Sequence, residues 1–324
     1  MNDYTVISSR VRFARNLQGF RFPSAMGEEE AERATALVLS ALQKRGLTGF
    51  YMRDLPETVR RVLLEQDLIS KELYSAKRGA VATAEDDKFS VMVLEEDCLR
   101  LAVVEKGLTL RSAYDRLSQE EVAISSAIPF AFDKNFGYLT ACVTNLGTGM
   151  RASVMLFLPA LERAGKIPSL CQELSAMGLT VRGVLGEGTD SEHSVYQVSN
   201  AKSLGVTEEE IITAVTKAAL QLSELELSAR RIEFNRFPHA VENRVKRAEG
   251  MLRSATLLSY GEMMQALSAV KEGVSLGILL ERGDLDDLTV AMRPAHVEAL
   301  AGKTLSREER DFFRAEYVRK IFTK

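Results

Sequence analysis

The sequence predicts an α+β protein of two domains, a mixed domain over residues 1–234 and a small all-helical domain over residues 235–324. The chain has 324 residues, of which 46% are hydrophobic, so each of two domains can bury a core. Short β-like runs and helical patterns are mixed in the first two-thirds without a regular βαβ repeat. Beyond Thr207 the patterns are helical alone.

Apolar runs bounded by turn residues predict the strands of the first domain. The predicted strands are 89–94, 99–104 and 180–184, and the predicted helices are 28–45, 110–126 and 152–162. The segment from Ile7 to Arg12 alternates, which would place Arg10 and Arg12 on one face of a further strand.

The second domain begins where a long helix is interrupted. Thr207 and Glu210 form a capping-box pattern ahead of apolar residues at helical spacing. The pair Phe237–Pro238 should end that helix, because the residue before a proline disfavours the helical conformation. The helices predicted beyond it are 239–256, 259–272, 285–291 and 306–322.

Composition excludes several classes of protein. Three cysteines without close spacing and three scattered histidines argue against a disulfide framework and against a metal centre of the chain's own. A net charge of −3 gives no general nucleic-acid signature. No apolar run is long enough to span a bilayer, and the N-terminus lacks an export pattern, so a cytoplasmic protein is expected.

Arginines in short polar stretches are the main functional signal. No Walker-type Gly-Lys-Ser loop is present, whereas guanidinium groups converging on one pocket would bind a polyphosphate. The arginines concerned are Arg10, Arg12, Arg100, Arg151 and Arg182. That these five side chains converge on one pocket is a prediction from their positions in the sequence.

Three further stretches accompany these arginines. Residues 94–100 place three carboxylates after an apolar run, and residues 181–189 join a strand to a Gly-rich loop that would suit closure over a substrate. In residues 144–153 a Gly-rich turn is expected to lead into a helix, whose N-terminus attracts anions. Each stretch alone is also compatible with an ordinary surface turn.

In this order the stretches resemble the phosphagen (guanidino) kinases, which transfer the γ-phosphoryl group of ATP to a guanidinium nitrogen. The family patterns are Ser-x-Arg-x-Arg, Asn-Glu-Glu-Asp-His-Leu-Arg, Cys-Pro-Thr-Asn-x-Gly-Thr-Gly-x-Arg and Arg-Gly-x-x-Gly-Glu, and the resemblance spans residues 6 to 205. It implies a catalytic domain with an antiparallel sheet flanked by helices.

The resemblance also implies site residues. Glu95 and Glu187 would clamp the acceptor guanidinium, with Glu95 as proton acceptor and the Cys142 thiolate against the same group. ATP would bind with Mg²⁺, which supplies charge neutralisation. The implied nucleotide-binding residues are Ser8, Ser9, Arg10, Val11, Arg12, Arg100, Arg151, Ala152, Ser153, Val154, Met155, Arg182, Gly183, Val184, Leu185 and Gly186.

One branch of the family fits better than the others. Small-molecule guanidino kinases carry a helical domain before the first arginine motif, which here begins at Ser8. Bacterial protein-arginine kinases of the McsB type lack it and have a C-terminal helical domain with an Arg-Asp-x-x-Arg-Ala motif that binds phosphoarginine. The matching residues are Arg310, Asp311, Arg314 and Ala315 on the predicted helix 306–322.

The branch implies partners that the residues themselves do not reveal: protein substrates with exposed arginine, a second copy of the chain, a zinc-binding activator protein, and a Clp-type chaperone and protease for quality control under stress. Four positions depart from the family pattern, and they predict altered nucleotide affinity: Asp67, Leu94, Cys98 and Val143. Two rival functions stay open, a catalytically weak phosphoarginine-binding adaptor and a kinase for a free guanidino compound.

Overall fold

An eight-stranded antiparallel sheet is the centre of the first domain in the computed structural model, which describes residues 3–86, 88–183, 193–281 and 283–323. Its order is β2-β3-β4-β5-β1-β8-β10-β9, and β6 and β7 form a separate hairpin. The strands are β1 (Val6–Arg15), β2 (Thr48–Tyr51), β3 (Ala80–Thr83), β4 (Phe89–Val93), β5 (Leu99–Lys106), β6 (Phe132–Asp133), β7 (Gly137–Tyr138), β8 (Met150–Phe157), β9 (Leu179–Gly183) and β10 (Val195–Asn200).

Helices cover the sheet and build the second domain. Those before the break at Phe237 are α1 (Glu28–Gln43), α2 (Glu57–Glu65), α3 (Lys71–Ser75), α4 (Leu110–Ser125), α5 (Pro159–Arg163), α6 (Ile167–Ala176) and α7 (Glu208–Arg236). Those after it are α8 (Pro238–Ser254), α9 (Tyr260–Ser275), α10 (Leu285–Ala291), α11 (Pro294–Ala301) and α12 (Arg307–Phe322). No helix of the described residues has the length and apolar character needed to cross a bilayer.

Strand alternation gives the central sheet two different faces. Val11 and Phe13 of β1 are buried in one apolar cluster with residues of α1, α4 and α7, such as Val38, Leu117 and Val215. Because successive side chains of a strand point to opposite faces, the even-numbered residues of β1 face away from these helices. The sheet therefore presents a second face for polar side chains.

The predicted helix 152–162 is wrong. Residues 150–157 form β8, a central strand paired with β1 and β10, and only α5 follows it. A strand buried on both faces has a nearly continuous apolar run, which sequence periodicity does not separate from a buried helix. The Gly-rich stretch before β8 consequently leads into a strand, and it offers no helix N-terminus to an anion.

The C-terminal region is helical, as predicted. Helix α7 begins with the predicted capping box of Thr207 and Glu210 and ends at Arg236, one residue before Phe237. A second apolar cluster joins α8 to α12 through residues such as Leu252, Leu267 and Phe322. Helix α11 is absent from the predicted elements, although a proline stands at its start, where its missing N–H costs nothing.

The second domain packs on the first through α11 and α2. The Glu65 carboxylate, at the end of α2, accepts hydrogen bonds from the backbone N–H of Ala295 (2.8 Å) and His296 (3.1 Å), and lies 2.7 Å from His296 Nδ1. An acidic group is favourable at a helix N-terminus. One turn earlier, Arg61 forms an ion pair of 2.8 Å with Glu298. These contacts of Glu65 and Arg61 connect α2 to the helical domain.

Candidate active site

Strand register brings the five predicted arginines to the face of the sheet opposite α1, α4 and α7. Arg12 of β1 pairs directly with Arg151 of β8, and directly opposed residues share a face. Arg100 of β5 pairs directly with Ala14 of β1. Ala14 is two residues from Arg12, so Arg100 and Arg12 lie on the same face of the sheet. The register continues from Met155 in β8 through Gln197 to Arg182 in β9. The five side chains therefore lie on one face, on four of the five neighbouring strands from β5 to β9.

The positive charges of neighbouring arginines lower one another's pKa in this cluster. Burial, followed by the charge of three neighbouring guanidinium groups, holds the pKa of Arg12 well below its usual value. These neighbours are Arg10, Arg100 and Arg151. The pKa of Arg151 is lowered by burial and by the charge of Arg182, Arg100 and Arg10. The cluster is an excess of positive charge that a polyanion would neutralise.

Arg10 has an unused donor. Its Nη2 donates to the backbone carbonyl of Asp67 at 3.2 Å, while its Nε is buried and has no partner among the described residues. Asp67 itself adopts a positive φ of 59°, a conformation that aspartate tolerates better than most residues do. A buried donor without an acceptor costs free energy, which a phosphate oxygen would recover.

Glu95 is buried and fully engaged. Its side chain is 3% exposed, and its two oxygens lie 2.9 Å from Arg100 Nη1 and 2.8 Å from Arg100 Nη2. Ser70 Oγ donates to Oε1 at 2.7 Å, and the N–H of Glu96 donates to Oε2 at 2.7 Å. Oε1 thus accepts two hydrogen bonds, and Oε2 accepts one and forms an ion pair with Arg100 Nη2, so this carboxylate serves Arg100 in the described geometry.

Glu96 is the accessible carboxylate of the acidic turn. Its side chain is 43% exposed, and Oε2 lies 3.3 Å from Arg100 Nη2, at the rim of the arginine cluster. It was not singled out from the sequence, because Glu95 and Glu96 are adjacent and identical in type. Which of the two side chains points inward depends on where β4 ends, at Val93. The local sequence pattern does not predict that end point.

Buried polar contacts fix the Cys142 loop beside the acidic turn. Asp97 Oδ1 accepts from the N–H of Ala141 and from Asn16 Nδ2, both at 2.7 Å. Asn16 in turn accepts from the N–H of Cys98 at 2.8 Å. Cys142 is half-buried, and its Sγ lies 3.0 Å from Thr144 Oγ1. The end of β1, the acidic turn and the cysteine loop are therefore one connected unit.

Four of the predicted nucleotide-binding residues direct their side chains away from the arginine face. Ser9, Val11, Ala152 and Val154 are buried on the helix-covered side, where Ser9 Oγ donates to the carbonyl of Gly107 at 2.7 Å. Strand alternation is the reason. Ser8, Ser153 and Met155 share the arginine face, and Gly183 ends β9 next to Arg182. Val184, Leu185, Gly186 and the predicted catalytic Glu187 lie outside the described residues.

The predicted phosphoarginine motif is present on α12, whose capping box of Ser306 and Glu309 forms. Arg314 is 1% exposed and donates to two backbone carbonyls and to Asp311 Oδ1 (2.7 Å). Arg310 is partly exposed and pairs with Glu298 at 2.8 Å. Ala315 is buried in the core of the domain. The motif's arginines hold the domain together in this geometry, and phosphoarginine binding stays a prediction.

A nucleotide fits this site better than a protein-bound metal does. Among the described residues no three His, Cys, Asp or Glu side chains come together to hold a metal ion. The unpartnered Nε of Arg10 and the mutual repulsion of the guanidinium groups both favour a polyphosphate.

Known proteins with this sequence pattern are phosphotransferases. Residues 30–229 match the ATP:guanido phosphotransferase C-terminal catalytic domain, and residues 238–324 match the protein-arginine kinase McsB C-terminal domain. A protein-arginine kinase of Symbiobacterium thermophilum is 41% identical over 324 residues, covering 97% of this chain and 92% of its own. One of Halothermothrix orenii is 40% identical over 320 residues, with the same coverage of 97% and 92%.

Solved structures share the fold. The duplicated taurocyamine kinase of Schistosoma mansoni with bound transition-state analogue components is 29% identical, with a TM-score of 0.61, over 70% of this chain and 33% of that one. A lombricine kinase, 24% identical with a TM-score of 0.61 over 70% of this chain and 67% of its own, shows the fold alone. The predicted fold class and family resemblance are confirmed. The chain belongs to the ATP:guanido phosphotransferase family and shares with its protein-arginine kinases both the catalytic domain and the McsB-type C-terminal domain.

Proposed function

We propose that this kinase transfers the γ-phosphoryl group of ATP to arginine side chains of proteins. The observation that carries the proposal is the cluster of five arginines on one sheet face, next to the acidic turn and the Cys142 loop. The relatives named protein-arginine kinase, about 40% identical over nearly the whole chain, support the choice of acceptor.

The arginine cluster would bind the phosphates. Phosphoryl transfer depends on positioning and on neutralisation of charge, and guanidinium groups supply both. The side chains that would do so are Arg10, Arg12, Arg100, Arg151 and Arg182. Mg²⁺, bound with the nucleotide, would add further charge neutralisation.

The acceptor arginine requires a carboxylate that orients it and removes its proton, because a guanidinium is protonated at any physiological pH. Glu95 was expected in this role, but both of its oxygens are occupied by Arg100, Ser70 and backbone. The exposed Glu96 is better placed to receive an incoming guanidinium. We therefore assign acceptor binding to Glu96 and the fixing of Arg100 to Glu95, with Cys142 and Glu187 as proposed partners of the same guanidinium.

The test is to incubate the chain with Mg·ATP and an unfolded arginine-containing protein and to search by mass spectrometry for acid-labile phosphate on arginine. Phosphoarginine is expected, and its absence alongside phosphorylation of free arginine would select a small-molecule kinase. Glu96→Gln and Glu95→Gln form a matched pair for the assignment above. Glu96→Gln should lower kcat and leave MgADP affinity intact, whereas Glu95→Gln should weaken MgADP binding as well.

Several parts of the proposal rest on the family resemblance alone. These are the homodimer, the zinc-binding activator, delivery to a Clp-type protease, and phosphoarginine binding by Arg310, Asp311 and Arg314; the cytoplasmic location is likewise a proposal. An adaptor without catalysis is the weaker alternative, because in the described geometry the Arg314 guanidinium is occupied by internal hydrogen bonds.

A further inference from the structure

Ser70, in the turn between α2 and α3, touches the acidic turn from outside the arginine cluster. Its Oγ donates to Glu95 Oε1 at 2.7 Å and accepts from the N–H of Leu73 at 3.1 Å, as the N-cap of α3. A hydroxyl has a single proton, so accepting from the helix leaves that proton for the carboxylate. The cap therefore sets the direction of the bond to Glu95.

The carboxylate that Ser70 fixes is the one that holds Arg100. Glu95 meets both terminal nitrogens of Arg100 in a two-point contact, at 2.9 and 2.8 Å. A two-point contact between a carboxylate and a guanidinium defines the plane of both groups. The unshared N–H groups of Arg100 are then directed by the position of Glu95.

The same turn also holds a second cluster arginine. The carbonyl of Asp67, three residues before Ser70, accepts from Arg10 Nη2 at 3.2 Å. The backbone N–H of Ser70 donates to Met92 Sδ in β4 at 3.2 Å, which ties the turn to the sheet. Two of the five arginines are thus placed by residues 67–70, none of which belongs to the arginine motifs.

We propose that Ser70 is a positioning residue for phosphoryl transfer: its hydroxyl fixes Glu95, and Glu95 fixes the plane of Arg100 toward the phosphates. The inference rests on the proposed function. Ser70 touches no reacting atom, and its effect passes through the Glu95–Arg100 pair. By holding the Glu95 carboxylate in place, Ser70 prevents the Glu95–Arg100 pair from reorienting when the nucleotide binds.

Ser70→Gly is the decisive variant, since glycine keeps most of the N-cap preference while removing the hydroxyl. We expect kcat/KM for MgATP to fall about tenfold, and MgADP affinity measured by calorimetry to weaken by a similar factor. Ser70→Thr, which keeps both the cap and the donor, should restore both values. Ser259→Gly removes an N-cap hydroxyl from α9 and should leave both unchanged.

Three outcomes would overturn the inference: unchanged kinetics and MgADP affinity in Ser70→Gly, equal losses in Ser70→Gly and Ser70→Thr, or an equal loss in Ser259→Gly. The first would leave the proposed function standing, because the parent protein would still phosphorylate arginine. If the parent protein shows no arginine phosphorylation, the proposed function fails, and the MgADP affinities of the variants still decide the role of Ser70.

Discussion

Replacing Arg12 by methionine should stabilise the ligand-free protein and weaken its binding of nucleotide. Arg12 lies on β1, between the arginine-bearing strands β5 and β8, and directly opposite Arg151. Burial, followed by the positive charges of Arg10, Arg100 and Arg151, lowers its pKa, and Glu95 acts in the opposite sense. Methionine removes the repulsion and keeps an apolar chain of similar length.

The size of the effect follows from Coulomb's law. Two unit charges about 7 Å apart, in an effective dielectric constant of about 20, repel by about 2 kcal/mol. Salt, side-chain rearrangement and the attraction of Glu95 offset part of the sum over three neighbours, so the expected net gain is about 1–3 kcal/mol. For a protein of this size, that raises Tm by about 2–6 °C.

Nucleotide affinity should change in the opposite direction. Loss of a charged hydrogen bond to phosphate costs about 1.5–3 kcal/mol, which weakens MgADP binding about 10- to 100-fold. Scanning calorimetry gives Tm, and titration calorimetry gives the dissociation constant. Lys246→Met removes an exposed cation from α8, 3.8 Å from Glu242, and should change stability by less than about 0.5 kcal/mol. An Arg12→Met protein that is less stable and binds MgADP as tightly as the parent would refute the reasoning.

Three further predictions concern the cysteines and the domain contact. Iodoacetamide at pH 8 should modify Cys142 at least about tenfold faster than buried Cys98, as measured by peptide mapping; equal rates would contradict the described burial. Burial raises the pKa of Cys98 to about 11 from the usual 9.0, so the free energy of unfolding should fall as pH rises from 9 to 11, and this fall should be reduced in Cys98→Ala. Burial alone would raise the pKa of Glu65, but hydrogen bonds from His296 and from the α11 backbone outweigh it and lower that pKa. Glu65→Gln should therefore destabilise at pH 7 by about 1–2 kcal/mol in urea unfolding. The difference should shrink as pH falls through the lowered folded-state pKa of Glu65, and a difference that does not depend on pH would contradict this origin.

Much of the arginine face was predictable because strand alternation is a strict period. The spacing of Arg10 and Arg12 placed them on one side of β1, as found. The same period moves Ser9 and Val11 into the core, although a family motif counts them among the binding residues. The motif identifies a segment of the chain, whereas the alternation of side chains along the strand determines which of its side chains face the site.

The remaining errors arise from long-range packing. β8 reads as a helix because it is a central strand, apolar on both faces, and its neighbours β1 and β10 are distant in sequence. The roles of Glu95 and Ser70 depend on a contact between residues 25 apart, which no local pattern contains. Glu65 and Ala295 are 230 residues apart, so the contact between the domains is equally invisible in the sequence.

The most direct test of the central claim is a crystal structure of the chain with Mg²⁺ and a non-hydrolysable ATP analogue. The prediction is that the triphosphate lies across the sheet from β5 to β9, with phosphate oxygens about 3 Å from the guanidinium groups of the arginine face and with Glu96 facing the γ-phosphate. A nucleotide bound elsewhere, with those guanidinium groups directed at solvent, would contradict the account.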